Sequence, residues 1–262
     1  MARFFVVPDQ VEDGRVTITG SDIRHISRVL RLGPGDMVTC VDGTGRELTA
    51  RIKEINNNAV VCEITGETMS AAEPPIQVTL CQGLPKGDKM ELIIQKCCEL
   101  GVHRIIPVNC ARTVVQLDVK KAVQRQVRWQ RVAEEAAKQA RRGNIPLVVE
   151  LTDFSDVLRQ VPTGALALVP WEEEGQAGFK AVLSEYRRVK PDKPDCPEIP
   201  CAPGIPEIWI FIGPEGGFTI EEADQARQAG CRTVTLGPRI LRTETAAITA
   251  LALVMYELGD IG

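Results

Sequence analysis

IWIFIGPEGGFTIEEADQARQAGCRTVTLGPRILRTETAAITALALVMY, Ile208 to Tyr256, decides the fold class. Ile208 to Ile212 is an unbroken apolar run, the composition of a strand buried on both faces. It stops at Gly213-Pro214-Glu215-Gly216-Gly217, a path too tight for most side chains. Thr219 then stands three residues before Glu222, the spacing of a capping box, and Ala223, Ala226 and Ala229 favour a helix. Gly230 ends that helix. Thr233 to Leu236 reads as a second short strand, Gly237-Pro238 breaks it, and Thr243 or Thr245 opens a last, mostly apolar helix. Two strand ends, each followed by glycine and a helix start, set backbone donors beside open space, where α/β sheets bind small ligands.

Spacing alone is also met by ordinary turns of an α/β domain. Neither G-x-G-x-x-G nor G-x-x-x-x-G-K-[ST] occurs here, and Gly83-Leu84-Pro85-Lys86-Gly87-Asp88-Lys89 lacks the P-loop spacing, so a nucleotide site of those kinds is disfavoured. Phe211-Ile212-Gly213-Pro214-Glu215-Gly216-Gly217-Phe218, then Leu236-Gly237 and Ile240-Leu241-Arg242-Thr243-Glu244-Thr245-Ala246, resembles the signature of the bacterial 16S rRNA (uracil-N3) methyltransferases, the ribosomal RNA small subunit methyltransferase E family of the SPOUT class. Gly83 to Glu91, Lys96 to Val102, Arg128 to Arg131 and Glu134 to Gln139 are similar to further blocks of that family. After Gln139 the family usually has a small residue, glycine and arginine, whereas this chain has Ala140-Arg141-Arg142-Gly143-Asn144.

The 262 residues suffice for one large domain or two modest ones, and 44% hydrophobic with 25% charged residues is ordinary for a globular chain. No apolar run approaches the ~20 residues of a membrane span, and Met1 to Pro8 carries too short an apolar core for a signal peptide. A cytoplasmic protein is expected. The nine cysteines are odd in number, form no C-x-x-C and have only His25 and His103 as histidine company, so no metal site is expected, even at Cys196 and Cys201. Most read as small buried hydrophobes carrying reduced thiols. A net charge of −4 argues against wholesale coating of nucleic acid, yet Lys120 to Arg142 holds eight basic residues against two acidic ones. A local basic face is what phosphate contact needs.

Up to about residue 72 the chain offers strand candidates Arg3 to Val7, Arg15 to Thr19, Met37 to Val41, Arg46 to Ile55 and Ala59 to Ile64, divided by Gly-, Asn- and Asp-rich turns. That pattern predicts a small β-barrel. One helix, Ser21 to Leu30, interrupts it, with Arg24, Arg28 and Arg31 on a side away from Ile23, Ile26 and Leu30. Those arginines read either as a solvated basic face or as a ridge that contacts phosphates. Glu73-Pro74-Pro75 is the best boundary. Beyond it the rhythm turns to strand and helix in alternation, the mark of a mainly parallel sheet covered on both faces. Pro191 to Pro206, with six prolines, reads as an exposed loop.

The resemblance implies an α/β architecture in which residues 1–72 form a PUA-like RNA-binding β-barrel and 73–262 a SPOUT domain with a deep trefoil knot. Loops around Leu168 to Pro170, Ile212 to Gly216 and Leu236 to Ala246 are then expected to hold S-adenosylmethionine. The implied donor-binding residues are Leu168, Pro170, Ile212, Gly213, Pro214, Glu215, Gly216, Leu236, Gly237, Ile240, Leu241, Arg242, Thr245 and Ala246. Glu215 reads equally as a partner of the donor and as a cap of the next helix. Methyl transfer from a sulfonium needs no metal, only alignment and control of a proton. Uracil N3 becomes nucleophilic after losing its proton, and cations near O2 and O4 would stabilise that charge. Arg242 and then Arg112 are the candidates for this role. Glu244 would accept the proton or hold Arg242, and the two also read as a plain ion pair at the start of the helix.

The implied RNA contacts are Arg24, His25, Arg28 and Arg31 in the first domain and Arg128, Lys138 and Arg141 in the second, with His25 read equally as closing its helix onto the barrel. The implied partners are 16S rRNA in the small ribosomal subunit and a second copy of the chain, packed through the apolar last helix. Two other readings remain: a SPOUT ribose 2′-O-methyltransferase acting on tRNA or rRNA, and a non-catalytic RNA-binding assembly factor.

Overall fold

The computed structural model describes residues 1–115, 117–175, 177–189 and 205–262. Cys196, Cys201 and most of the expected proline-rich loop lie outside the described residues. The chain divides into two compact units: Met1–Glu73 with Ala137–Ile145, and Pro74–Ala136 with Pro146–Gly262.

The first unit is built on six strands: β1 (Ala2–Phe5), β2 (Val11–Glu12), β3 (Arg15–Ile18), β4 (Met37–Val41), β5 (Arg46–Ile55) and β6 (Val60–Met69). They pair in the order β1-β4-β5-β6-β3-β2, with β1 parallel to β4 and every other pair antiparallel. Asp13 and Gly14, both at positive φ (49° and 73°), form the two-residue turn between β2 and β3. This is the left-handed geometry that matches strand twist and explains the Asp-Gly choice. Alternate residues of β5, Leu48, Ala50 and Ile52, enter a core with Phe4, Val16, Ile18, Ile26, Val38 and Val60. The expected helix from Ser21 to Leu30 is shorter and less regular. Helix α1 covers Ser21–Arg24, a π-helical turn follows over His25–Val29, and Arg31 lies beyond it at φ 55°. The π turn inserts a residue into the helical period, so Arg31 does not share a helical face with Arg24 and Arg28.

Glu73 closes this unit. Its carboxylate accepts from Arg142 Nη2 (2.8 Å), the backbone N–H groups of Gly143 (2.8 Å) and Asn144 (3.0 Å), and Asn144 Nδ2 (3.2 Å). Arg3 donates to the Arg142 carbonyl (2.9 Å) and pairs with Glu47 (2.9 Å). Arg142 is 3% exposed, and this carboxylate answers its charge there.

The second unit carries β7 (Gln77–Gly83), β8 (Arg104–Asn109), β9 (Leu147–Val148), β10 (Thr152–Asp153), β11 (Leu166–Pro170), β12 (Glu207–Ile212) and β13 (Arg232–Val234). All pairs are parallel, in the order β10-β8-β7-β12-β11-β13, with β9 also on β8. The pleat of β12 sends Ile208, Ile210 and Ile212 into one core and Trp209 and Phe211 into another. The first core is completed by α2 (Lys89–Glu99), α3 (Val119–Gln139), α5 (Phe179–Val189) and α7 (Thr243–Leu258), the second by α4 (Phe154–Gln160) and α6 (Ile220–Gln228). A stretch apolar at every position from Ile208 to Ile212 is therefore required, as its composition indicates. The capping box forms: Thr219 Oγ1 accepts from Glu222 N (3.2 Å) and Glu222 Oε2 from Thr219 N (2.9 Å). Glu222 Oε1 also accepts from Ala111 N (2.8 Å), fastening the loop after β8 to α6. The seven described cysteines are buried free thiols, and burial, with the Cys62 sulfur nearby, pushes that of Cys40 up to about 12.

Gly83, at the end of β7, leaves no room for a side chain. A Cβ there would lie 2.5 Å from Pro214 N and 2.9 Å from the Gly213 carbonyl carbon. Gly83→Ala is expected to destabilise the chain by about 1–3 kcal/mol through overpacking. A urea midpoint unchanged from that of the parent would reject this. Burial raises the Glu73 carboxyl, but Arg142 and the two backbone donors outweigh it and hold the group below its ordinary 4.5. With the folded value depressed, its contribution is complete above 4.5 and fades as pH falls through the folded value. Acid melts should show this loss, and Glu73→Gln, less stable at neutral pH, should show a flatter dependence. Parallel curves would contradict the assignment.

Candidate functional site

The carboxyl ends of three neighbouring strands, β12, β11 and β13, open onto a cleft of about 780 Å³, a volume within the usual range of small-molecule sites. Its walls are the loops that leave those strands, the start of α7 and Lys89 at the start of α2. This edge is where a parallel sheet offers unpaired backbone groups to a ligand.

Of the residues expected to hold a donor, Pro170, Ile212, Gly213, Pro214, Glu215, Leu236, Gly237, Ile240, Leu241, Arg242 and Ala246 line the cleft. Leu168 does not: it is fully buried in the core beneath the sheet. Gly216 faces Arg112, whose Cβ lies 2.9 Å from where a Cβ on the glycine would be, and Thr245 is exposed on α7 away from the lining. Arg112 does not line the cleft either; its Nη1 donates to the Gly216 carbonyl (2.8 Å), bracing the loop after β12 from outside.

The floor is fixed by a short relay of polar contacts. Gln82, wholly buried at the end of β7, donates through Nε2 to its neighbour's carbonyl at Gly83 (2.8 Å) and to Thr243 Oγ1 (2.9 Å). Thr243 Oγ1 in turn donates its hydroxyl hydrogen bond to the Gly213 carbonyl (2.7 Å). The end of β7, the end of β12 and the first residue of α7 are thereby held together.

Electrostatically the cleft is mixed. Lys89 Nζ lies 3.0 Å from Glu215 Oε1 and 3.3 Å from Glu244 Oε2. Burial raises the Glu215 carboxyl, but Lys89 and the backbone N–H of Lys86 outweigh it and hold the group below the usual carboxylate range. The hydrogen bond to Glu215 in turn raises the Lys89 ammonium. Glu244 is thus the partner of Lys89, and no ion pair joins it to Arg242, which is exposed on the cleft wall. Across the cleft, Glu174 accepts from Thr233 Oγ1 (2.7 Å) and meets Arg227 (3.4 Å), and the Arg227 guanidinium lies over the Trp171 ring (5.0 Å).

Several of these residues were not anticipated: Lys89, Trp171, Glu172, Glu174, Gly217, Phe218, Thr235, Arg239 and Thr243. Trp171 to Gly175 directly continue β11, so a rule that reads the residues just past every parallel strand would have found them. Lys89 is brought in only by the β7–β12 pairing, which no local pattern announces.

The remaining site candidates fall into separate groups. Arg24, His25, Arg28 and Arg31 are exposed in the first unit, where the His25 ring meets Phe4 edge-on at 6.3 Å. Lys138 and Arg141 belong to the same unit; Lys138 Nζ lies 5.9 Å from the Phe5 ring and Arg141 is exposed at φ 58°. Arg128 belongs to the second unit and pairs with Glu91 (2.7 Å). Among the described residues no cluster of three His, Cys, Asp or Glu side chains could hold a metal ion.

The cleft suits a nucleoside-sized ligand with both apolar and charged parts. Ile212, Leu236 and Leu241 offer apolar wall. Gly237, at φ 109°, gives the β13–α7 loop a turn that other residues resist. Trp171 Nε1 is a buried donor with no partner among the described residues.

Comparison with known proteins agrees with this geometry. The RNA methyltransferase domain family matches residues 72–255, and the RNA methyltransferase PUA domain family matches residues 18–65. The ribosomal RNA small subunit methyltransferase E of Bacillus subtilis is 36% identical over 264 residues, covering 98% of this chain and 97% of that protein. A crystal structure of the Neisseria gonorrhoeae ribosomal RNA small subunit methyltransferase E bound to S-adenosyl methionine is 32% identical, with a TM-score of 0.79 over 100% of both chains. A Legionella pneumophila methyltransferase solved with the bound cofactor S-adenosyl methionine is 28% identical, with a TM-score of 0.76 over 99% of this chain and 98% of that one. With a mixed α/β fold, a parallel sheet and a PUA domain, this chain belongs to the ribosomal RNA small subunit methyltransferase E family.

Proposed function

We propose that this chain methylates N3 of a uridine in 16S rRNA, using S-adenosylmethionine, on the small ribosomal subunit in the cytoplasm. The observation that carries the reading is the cleft at the ends of β11, β12 and β13, whose lining suits that donor and whose relatives are solved with it. The bound donor supplies a methyl group on a positively charged sulfur. The chain's part is to bind it, orient the acceptor base and control one proton. The backbone of Gly213 to Glu215 and Leu236 to Leu241, with Pro170, Ile212 and Ala246, holds the donor. Arg242, exposed on the cleft wall, steadies the charge that appears on uracil O2 and O4 once N3 loses its proton. Arg112 acts at one remove, through the Gly216 carbonyl. The pairing with Lys89 favours Glu244 as the anchor of a cation over Glu244 as proton acceptor.

Residues 1–72 serve as a PUA-like barrel that grips RNA through Arg24, His25, Arg28 and Arg31, joined by Arg128, Lys138 and Arg141 from the residues that follow, and 73–262 as a SPOUT domain knotted through the loops of the cleft. The PUA-domain match supports the first assignment. Exposed Leu253 and Tyr256 on the mostly apolar α7 support association of two copies. No helix among the described residues is long and apolar enough to cross a membrane.

Methylation of 30S subunits from a strain lacking this activity, followed by mass spectrometry of the digested RNA, should locate the new methyl group on uracil N3. A methyl group on a ribose would overturn the position, and no incorporation would overturn the activity. Arg242→Ala should lower turnover by about 10²-fold, on the scale of one lost charge-stabilising donor, while donor affinity measured by calorimetry changes little. Glu244→Gln should cost less, and near-normal turnover in both variants would reject their placement at the chemistry.

A further inference from the structure

Three carboxylates line the cleft, Glu172, Glu174 and Glu215. Two are already answered: Glu215 by Lys89 at 3.0 Å, and Glu174 by the Thr233 hydroxyl at 2.7 Å and Arg227 at 3.4 Å. Glu172 is exposed and has no ion pair or hydrogen bond among the described residues. It stands directly beyond Trp171, the cleft-lining ring with the unpartnered buried N–H. Its Oε1 lies 3.4 Å from the point a Cβ on Gly217 would occupy. The carboxylate thus reaches from the loop after β11 to the loop after β12, and Gly217, at φ 67°, leaves that space open. The cations of the lining are Lys89, which is engaged, and Arg239 and Arg242, which arrive on the β13–α7 loop.

We infer that Glu172 is a specificity-determining residue that favours the positively charged methyl donor over its neutral thioether product. The inference rests on the methyl-donor reading of this cleft. Donor and product share the adenine, the ribose and the amino-acid part; they differ by one methyl group and the positive charge on sulfur. Contacts to shared parts bind both equally, so only charge or packing near the sulfur can separate them. A carboxylate with no protein cation to answer it lowers the energy of the cationic form and leaves the neutral one almost untouched. Discharge of the product would then follow from loss of charge at sulfur, without a movement of the loops.

Calorimetric titration of the full chain with S-adenosylmethionine and, separately, with S-adenosylhomocysteine tests this without catalysis. Glu172→Gln should weaken the donor roughly tenfold and leave the product within about twofold. Glu173→Gln, one residue on and outside the lining, should alter neither. An analogue carrying an ammonium in place of the methylsulfonium should lose affinity together with the donor. Equal weakening of charged and neutral ligands would overturn the inference, because Glu172 would then touch a shared part, and so would unchanged affinity for both. Failure of the unmodified chain to bind any of the three would instead overturn the methyl-donor reading, and this inference with it.

Discussion

The Gly213 carbonyl is the point on which the site depends. A strand flanked by two parallel neighbours has to release its chain at the sheet edge, and the first carbonyl past β12 needs a donor. Thr243 Oγ1 supplies it, and Gln82 holds Thr243 from the buried side. Gly83 permits this because its missing side chain lets the Gly213–Pro214 peptide come within contact of β7. Two of the loops that wall the cleft are set by this one cluster of short contacts. Polar groups shut away from water leave few alternative arrangements, since each unmade hydrogen bond would cost about 1–3 kcal/mol.

Charge is distributed by a different rule. The ammonium of Lys89 serves Glu215 and Glu244 together, while Arg227 and the Thr233 hydroxyl occupy Glu174. Most of the acidic groups that could attract a cationic ligand are therefore already satisfied by the protein. What remains open toward the cleft is a small number of charges on separate loops, Glu172 on one and Arg239 and Arg242 on another. A site arranged in this way presents charges of both signs to one ligand from separate loops.

Much of this was legible in the residues themselves, and the exceptions are physically consistent. The unbroken run Ile208 to Ile212 required burial on both faces, and β12 has it. Thr219 and Glu222 announced their helix because a capping box is a local contact, three residues long. By contrast, β2 and β10 have two residues each, too few for any periodicity to register. The helix at Ser21 looked regular because its apolar residues fit a 3.6 period, yet its backbone takes a π turn that composition does not encode. Nor could spacing place Lys89 beside Glu215, or Glu73 beside Arg142, since these pairs are distant in sequence and are joined by tertiary pairing alone.

The first unit is discontinuous: Met1–Glu73 is completed by Ala137–Ile145. During synthesis, Glu73 emerges well before the arginine and the two amide groups that its carboxylate will bind. For that interval it is a charge without its buried partners, and water must serve in their place. The ribosome therefore produces the amino-terminal sheet in an unfinished state, and its last fastening waits on a stretch of chain made after α2 and β8. A gene cut after codon 73 would encode every strand of the sheet and omit the piece that clasps it.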